Sequence, residues 1–231
     1  MIERNWEEFW KNKDLSIPPL TLHQEQKVNF IKQLCKDKVN GKILECGCFP
    51  GKWLICFSKE LKMKPYGIDL LPVEYTTSFM EKYNIKAIIK KADVRKIPFK
   101  DNTLDVVYSF GLIEHFENHK DVIKEMSRVL KKDGILITSW PNTLKFTFTR
   151  LMMFLHRKKD LVDMKPILLE DILNIYKELG FTDIQYRKMG VWGLSWSKFL
   201  NKIKIFNPLL VLLSNTNLFA ADFTVTGIKN F

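Results

Sequence analysis

The sequence predicts an α/β fold built on a parallel sheet. Three observations carry this reading. Short apolar runs alternate with stretches of helical spacing from residue 42 to residue 139, a glycine turn directly follows the first run, and acidic residues close successive runs. Strands alternating with helices at this spacing form βαβ units, and right-handed crossovers place the helices on both faces of the sheet. The 231 residues suit one domain with additions. An apolar fraction of 46% with 27% charged residues is that of a globular chain and excludes the disordered class.

Residues 2–13 read as a short amphipathic helix carrying Trp6, Phe9 and Trp10, and Ile17-Pro18-Pro19 breaks it. A second helix over 22–39 places Val28, Ile31, Leu34 and Cys35 near helical spacing and stops at Asn40-Gly41. Lys42 to Cys46 is a buried strand, Lys52 to Leu61 a helix, Tyr66 to Asp69 a second strand, and Pro72 opens a helix reaching Asn84. Lys86–Lys90 and Leu104–Ser109 are the third and fourth strands. A helix over 119–131 carries Val122, Ile123, Met126, Val129 and Leu130 on one side. Asp133-Gly134 then turns the chain into a fifth strand, Ile135 to Ser139. Leu168–Leu179 is a helix closed by Gly180, and Phe181–Tyr186 and Phe223–Ile228 are two further strands. Between them, residues 190–220 are rich in Trp, Phe and Leu and read as an insertion.

The net charge of +11 favours an anionic partner, yet the lysines are spread along the whole chain, as on an ordinary solvated surface. The cysteines Cys35, Cys46, Cys48 and Cys56 lack the spacing of a zinc site or a disulfide scaffold, so no metal and a reducing compartment are expected. Residues 1–10 are charged from the start, without the apolar core of a signal peptide, and no run reaches the length of a spanning helix.

A glycine turn between a strand and a helix lets backbone approach a ligand and aims the helix N-terminus at it. The dinucleotide pattern G-x-G-x-x-G fails here, because Phe49 and Lys52 stand where its later glycines belong. The Walker pattern fails too: its first glycine falls one residue too close, and Trp53 replaces Ser/Thr after Gly51-Lys52. Ile43-Leu-Glu-Cys-Gly-Cys-Phe-Pro-Gly51 instead resembles motif I of the class I S-adenosylmethionine methyltransferases, with Phe49 in place of the middle glycine. Two acidic residues extend the resemblance. Asp69 ends the second strand, where a carboxylate accepts hydrogen bonds from a ribose diol. Asp93, with Val94, follows the third strand, where the family binds adenine. Each also has a local role open to it: Glu45 as a holder of the turn, Asp69 as a helix cap, Asp93 as a turn residue. The stretches 97–115 and 127–137 are similar to the ubiquinone/menaquinone-biosynthesis-like branch.

The resemblance implies a Rossmann-like seven-stranded, mostly parallel sheet with an antiparallel last strand. It implies a single domain over 1–231, with a helical cap (1–40), a cofactor-binding core (41–142) and a substrate-side part (143–231) holding the insertion. It further implies S-adenosylmethionine as cofactor, bound by Glu45, Gly47, Cys48, Gly51, Asp69, Leu70, Asp93, Val94, Ser109 and Phe110.

Methyl transfer is an in-line displacement for which the protein supplies alignment, and an oxygen acceptor also benefits from a base. Glu114-His115, just past the fourth strand, is the candidate catalytic pair, with His115 as the base. Ubiquinone-synthesis O-methyltransferases carry a further Glu three residues before this pair. Gly111 stands there, so a metal site is not expected. His119 reads as the start of a helix, and His23 as a group reaching in from the cap. The Asn/Asp-Pro-Pro-aromatic motif of base and glutamine methylation is replaced by Ser109-Phe-Gly-Leu112, which counts against those acceptors. Trp140 is expected to edge the substrate site.

Leu151-Met-Met-Phe-Leu155, flanked by Arg150 and Arg157-Lys-Lys159, has the composition of an interfacial helix or of a lid. Residues 191–219, with Trp192, Trp196 and Phe199 among lysines, have the same composition. The expected function is O- or C-methylation of a small-molecule or lipid-like acceptor by a cytoplasmic protein, with peripheral membrane contact left open and nucleic acid not expected. An RNA or protein methyltransferase, or a non-catalytic domain that binds a membrane or partner, are the competing readings.

Overall fold

The order of strands along the sheet places one crevice at its centre. In the computed structural model, which describes residues 22–156, 164–191 and 212–231, seven strands form a single sheet. In chain order these are β1 (Lys42–Cys46), β2 (Lys64–Asp69), β3 (Ile88–Lys91), β4 (Leu104–Phe110), β5 (Leu130–Pro141), β6 (Phe181–Val191) and β7 (Ala220–Lys229). Their spatial order is β3-β2-β1-β4-β5-β7-β6. The pairs from β3 through β5 are parallel, and β7 runs antiparallel to both β5 and β6. The chain builds outward from β1 to β3, then returns to lay β4 on the other side of β1. Ligands of open parallel sheets bind outside the carboxyl ends of the strands at such a reversal.

Side-chain alternation along the central strands divides the core into two layers. Leu44, Cys46, Val107 and Leu136 pack on one face with Val122, Ile123 and Met126 of helix α4 (His119–Val129) and Ile172 and Tyr176 of α6 (Leu169–Glu178). Ile43, Val106, Tyr108, Ile135 and Ile137 point the other way, onto Val28 and Ile31 of α1 (Leu22–Leu34) and Phe57 and Leu61 of α2 (Lys52–Leu61). Helix α3 (Val73–Lys82) adds Phe79 and Met80 beside Leu54 and Ile55 of α2. Strands buried on both faces read as apolar runs, which is why β1, β4 and β5 are visible in sequence.

The structure differs from the sequence reading at several boundaries. Helix α1 ends at Leu34 rather than 39, and a turn carries the chain to Asn40, whose φ of 65° ends any helical continuation. Strand β3 begins at Ile88 because its partners in β2 begin at Tyr66. Strand β5 starts at Leu130: Leu104 pairs with Leu130 and Val106 with Ile135, so the Asp133-Gly134 turn is a bulge inside a strand. Strand β7 starts at Ala220, nearer the insertion than expected. The expected helix over 2–13 and residues 192–211 of the insertion lie outside the described residues. A helix over Phe148–His156, α5, holds the Leu151–Leu155 segment. Among the described residues no helix is long and apolar enough to cross a membrane.

Strand β2 carries a glycine at its closest contact with the turn after β1. A Cβ on Gly67 would fall 2.7 Å from Cys48 Sγ and 2.9 Å from both Leu54 Cδ1 and Ile89 Cδ1. All three neighbours sit in packed surroundings, so overpacking is the expected consequence. Gly67→Ala is expected to lose about 1–3 kcal/mol in urea unfolding; an unchanged midpoint would show that the turn has room to move.

Candidate active site at the carboxyl ends of the strands

The turn after β1 is fastened to β2 by its own backbone. Gly47 N and Cys48 N both donate to Ile68 O, at 2.9 and 3.1 Å, and Phe49 N donates to Asp69 Oδ2 at 2.9 Å. Gly47 has φ +76°, and a Cβ there would meet Leu112 Cδ1 at 3.1 Å. The turn therefore needs glycine at that point both for its dihedral and for its closeness to the loop after β4. Gly51 follows with φ +104° and opens α2. Phe49, standing where a glycine was expected, turns its ring onto Tyr75, with centroids 5.2 Å apart.

Asp69 is not the cap of α3, whose N-cap is Pro72. Its two oxygens accept from Phe49 N and from Leu71 N at 3.0 Å. Burial pushes its carboxyl up and these N–H donors pull it back. A carboxylate has about four acceptor directions; the Leu70 N–H bears on it as well, and the side chain is only half-buried, open to a ligand. Leu70 beside it is exposed. Asp93 lies beyond β3 as a turn residue: Arg95 N donates to its Oδ1 at 2.8 Å, and the Arg95 guanidinium clamps the carboxylate, which holds it below the usual range. Val94 is buried beneath.

Glu45 is enclosed under the turn and accepts from Tyr108 Oη at 3.0 Å. Burial pushes it well above the usual carboxylate range. Cys48 is buried in the turn, with its thiol pushed up by the same cause.

The end of β4 supplies the other wall. Ser109 is buried, and Phe110 packs its ring against Trp53 and Tyr108, each with centroids 5.0 Å away. A 3-10 turn, Ile113–His115, follows Gly111 and holds Glu114 at 1% exposure. No other described residue hydrogen-bonds to either Glu114 oxygen. Burial is the main cause that pushes its carboxyl to about 8, with Asp222 adding to the rise and Lys27 opposing it. His115 Nε2 stands 4.0 Å from Glu114 Oε1, close enough for charge to couple and too far for a hydrogen bond.

Native interiors leave few buried polar groups without partners. Seven described residues carry such an atom: Thr76, Ser109, Glu114, His119, Asn142, Thr143 and Thr226. All but Thr226 sit at, or shortly beyond, the carboxyl end of a strand. His119 opens α4, as the sequence suggests. Trp140, expected at the edge of the site, is instead a core residue at 1% exposure with Nε1 directed at Ile167 O. Its place in β5 turns it toward α6 rather than the crevice. Sequence reasoning missed Lys27 and Asp222, which form a buried ion pair at 2.7 Å. Their only signal is a charge inside an apolar pattern: Lys27 next to core residue Val28, and Asp222 within Ala220-Ala-Asp-Phe223.

Residues 44–138 match the family model described as a methyltransferase domain. The chain is 29% identical over 155 residues to an uncharacterized protein of Methanocaldococcus jannaschii, covering 67% of this chain and 71% of that one. It is 27% identical over 152 residues to the demethylmenaquinone methyltransferase of Bacillus pumilus, covering 61% and 64%. Phosphoethanolamine N-methyltransferase 2 of Haemonchus contortus, solved with S-adenosyl-L-methionine, superposes with a TM-score of 0.68 at 16% identity, over 98% of this chain and 56% of that one. The chain thus spans less than two thirds of each of these two enzymes, and the second likeness is one of fold.

Glu114 has a consequence for stability. In the native state it keeps its proton up to about pH 8, whereas an exposed glutamate releases it near 4.5. Between those values the folded form binds more protons than the unfolded form, so this group's contribution is full at low pH and is lost as pH rises toward 8. Glu114→Gln is therefore expected to gain on the wild type from pH 5 to 8, by up to about 1.4 kcal/mol per pH unit. Thermal unfolding at stepped pH measures this; a pH-independent difference between the two proteins would contradict it.

Proposed function

The chain belongs to the S-adenosylmethionine-dependent methyltransferases, and from that premise we propose that it methylates a small-molecule or lipid-like acceptor at oxygen or carbon. The observation that carries this reading is the Gly47 turn fastened to Asp69 at the point where the strand order reverses. S-adenosylmethionine, its cofactor, supplies when bound a methyl group activated by a sulfonium.

The residues fit such a group. Asp69, half-buried, stays open to a diol, and Leu70 stands exposed beside it. Gly47 and Gly51 keep the backbone bare around Cys48, and α2 presents its N-terminal end to whatever carboxylate lies there. Asp93 and Val94 close the adenine side, where Arg95 shares the carboxylate. Ser109 and Phe110 form the opposite wall, and Glu45 braces the turn from below through Tyr108. His115 receives the proton of the acceptor, with Glu114 behind it.

A lipid-like acceptor is supported by the surface of α5. Phe146 is 92% exposed, and Leu151, Phe154 and Leu155 are exposed on the helix beside Arg150. Apolar and basic groups so placed suit the boundary of an anionic bilayer. A cytoplasmic protein touching a membrane from one side accommodates that surface.

Two measurements test the reading. Calorimetry with S-adenosylmethionine is expected to show binding by the wild type, weakened roughly ten- to a hundredfold in Asp69→Ala, the loss of hydrogen bonds to a charged group, and abolished in Gly47→Val. No binding, or equal binding by the variants, sinks it. Sedimentation with phosphatidylglycerol vesicles is expected to pellet the protein and to fail for Phe154→Asp with Leu151→Asp; no pelleting of the wild type removes the lipid surface.

A further inference from the structure

The spread of lysine along the chain conceals one local excess. Residues 82–100 hold seven basic residues against a single acid, Asp93, and so carry six of the eleven net positive charges of the whole chain. All seven basic side chains are exposed. The fold gathers them at the β3 edge of the sheet.

Two features leave that edge open. Strand β3 is an outermost strand, and residues 92–103 join it to β4 without a helix, whereas helices join β1 to β2, β2 to β3 and β4 to β5. Ile88 and Lys90 face the same side of the sheet as Tyr66, the partner of Ile88 in the register. Both are exposed there. The 92–103 loop returns along this side. Phe99 sets its ring against Tyr66, with centroids 5.6 Å apart. Lys90 lies over the Phe99 ring, its ammonium 4.7 Å from the centroid and 3.4 Å from Pro98 O. Pro98 stands two residues from Lys96 and two from Lys100, so this contact brings Lys90, Lys96 and Lys100 onto one ledge.

The acids bordering the ledge are already engaged. Asp93 is clamped by Arg95, and Glu125 and Asp101 are bonded to Arg128. Among the described residues no carboxylate pairs with Lys86, Lys90, Lys91, Lys96 or Lys100. Lysines on an edge strand guard it against strand addition. On β3 that need is met by Lys90 and Lys91, and it does not extend to Lys96 and Lys100 on the loop. A bilayer takes up apolar groups together with basic ones, and Ile88 is the sole large apolar residue exposed between 82 and 100. Basic groups in file along a strand and the loop beside it match a linear polyanion instead.

We propose that the β3 edge docks a nucleic-acid strand by its phosphates, with Lys90, Lys96 and Lys100 as the main contacts and Lys86 and Lys91 flanking them. The expectation of no nucleic acid rested on lysines spread along the chain, and folding gathers them. The ledge adjoins Asp93, so a strand lying on it passes the mouth of the cleft. Docking there is independent of what accepts the methyl group. Phosphate contacts carry no sequence information, so base identity has little effect.

The test is fluorescence anisotropy of the full chain with an oligouridylate of about 16 nucleotides, read at stepped salt. The wild type is expected to bind it, and an oligoadenylate alike, with an affinity that falls steeply as salt rises. Lys90→Glu combined with Lys96→Glu and Lys100→Glu is expected to weaken binding about tenfold or more at low salt. Lys90→Gln with Lys96→Gln and Lys100→Gln covers the case in which the reversed charges hinder folding. It is expected to reduce the slope of log affinity against log salt by about two, since each phosphate contact on a single strand contributes about 0.7. Lys36→Glu with Lys124→Glu and Lys177→Glu makes the same change in net charge at exposed positions elsewhere, and is expected to stay within about threefold of the wild type. Absence of wild-type binding, equal losses in the two glutamate sets, or an unchanged slope in the glutamine set would overturn the proposal. So would loss of pelleting with phosphatidylglycerol vesicles in the Lys90 set while oligonucleotide binding stays intact, which assigns the edge to a bilayer.

Discussion

Everything at the crevice depends on the turn after β1 lying flat on β2. Three consecutive backbone N–H groups, of Gly47, Cys48 and Phe49, are bonded to Ile68 and Asp69. That contact exists only because Gly67 has no side chain to hold the two apart. Once the turn is fixed there, α2 starts where it must, Gly47 abuts Leu112, and the loops after β2 and β4 become the two walls of one cleft. A peptide group so bonded presents a fixed geometry at no cost in reorganisation, which is what a site built for alignment requires.

The two edges of the sheet treat their polar groups in opposite ways. At the amino edge, Arg128 reaches the carbonyls of Ile97 and Phe99 and the carboxylates of Glu125 and Asp101, and Lys229 donates to Asn102, Ser127 O and Leu130 O. These groups are satisfied within the protein and act as fasteners. At the carboxyl edge Ser109 Oγ and the Glu114 carboxyl are buried without a hydrogen bond from another described residue. A fold whose levels agree elsewhere and disagree at one place marks that place as its working part.

Much of this was legible in the residues. The strands β1, β4 and β5 are buried on both sides and so appear as unbroken apolar runs, and the acids Glu45, Asp69 and Asp93 fall near the ends of β1, β2 and β3. The roles within the cleft were less legible, because they depend on contacts distant in sequence. Glu45 is held by Tyr108, which stands opposite only because β1 and β4 are neighbours, and it also meets the Leu54 N–H in the first turn of α2. Asp93 is engaged by Arg95, a local turn that composition permits and does not require. Trp140 looked like a rim residue, since a turn follows it, yet the pleat directs it into the α6 layer. Lys27 and Asp222 were hidden because a single charge in an apolar stretch signals burial of its partner as much as exposure of itself.

The Lys27–Asp222 bond also bears on how the molecule is put together in time. Its two ends are separated by 195 positions. A chain leaving the ribosome can lay down β1 to β5 in sequence, each strand beside one already present. Helix α1, made before β1, holds an ammonium whose counterion emerges only with β7. Seating that charge early would leave it alone in an apolar layer, a penalty of about 3–5 kcal/mol. Burial of the Lys27 ammonium is thus uncompensated until β7 pairs with β5 and β6. A chain that stops before β7 carries the turn and the strands of the crevice without the carboxylate that pairs with Lys27.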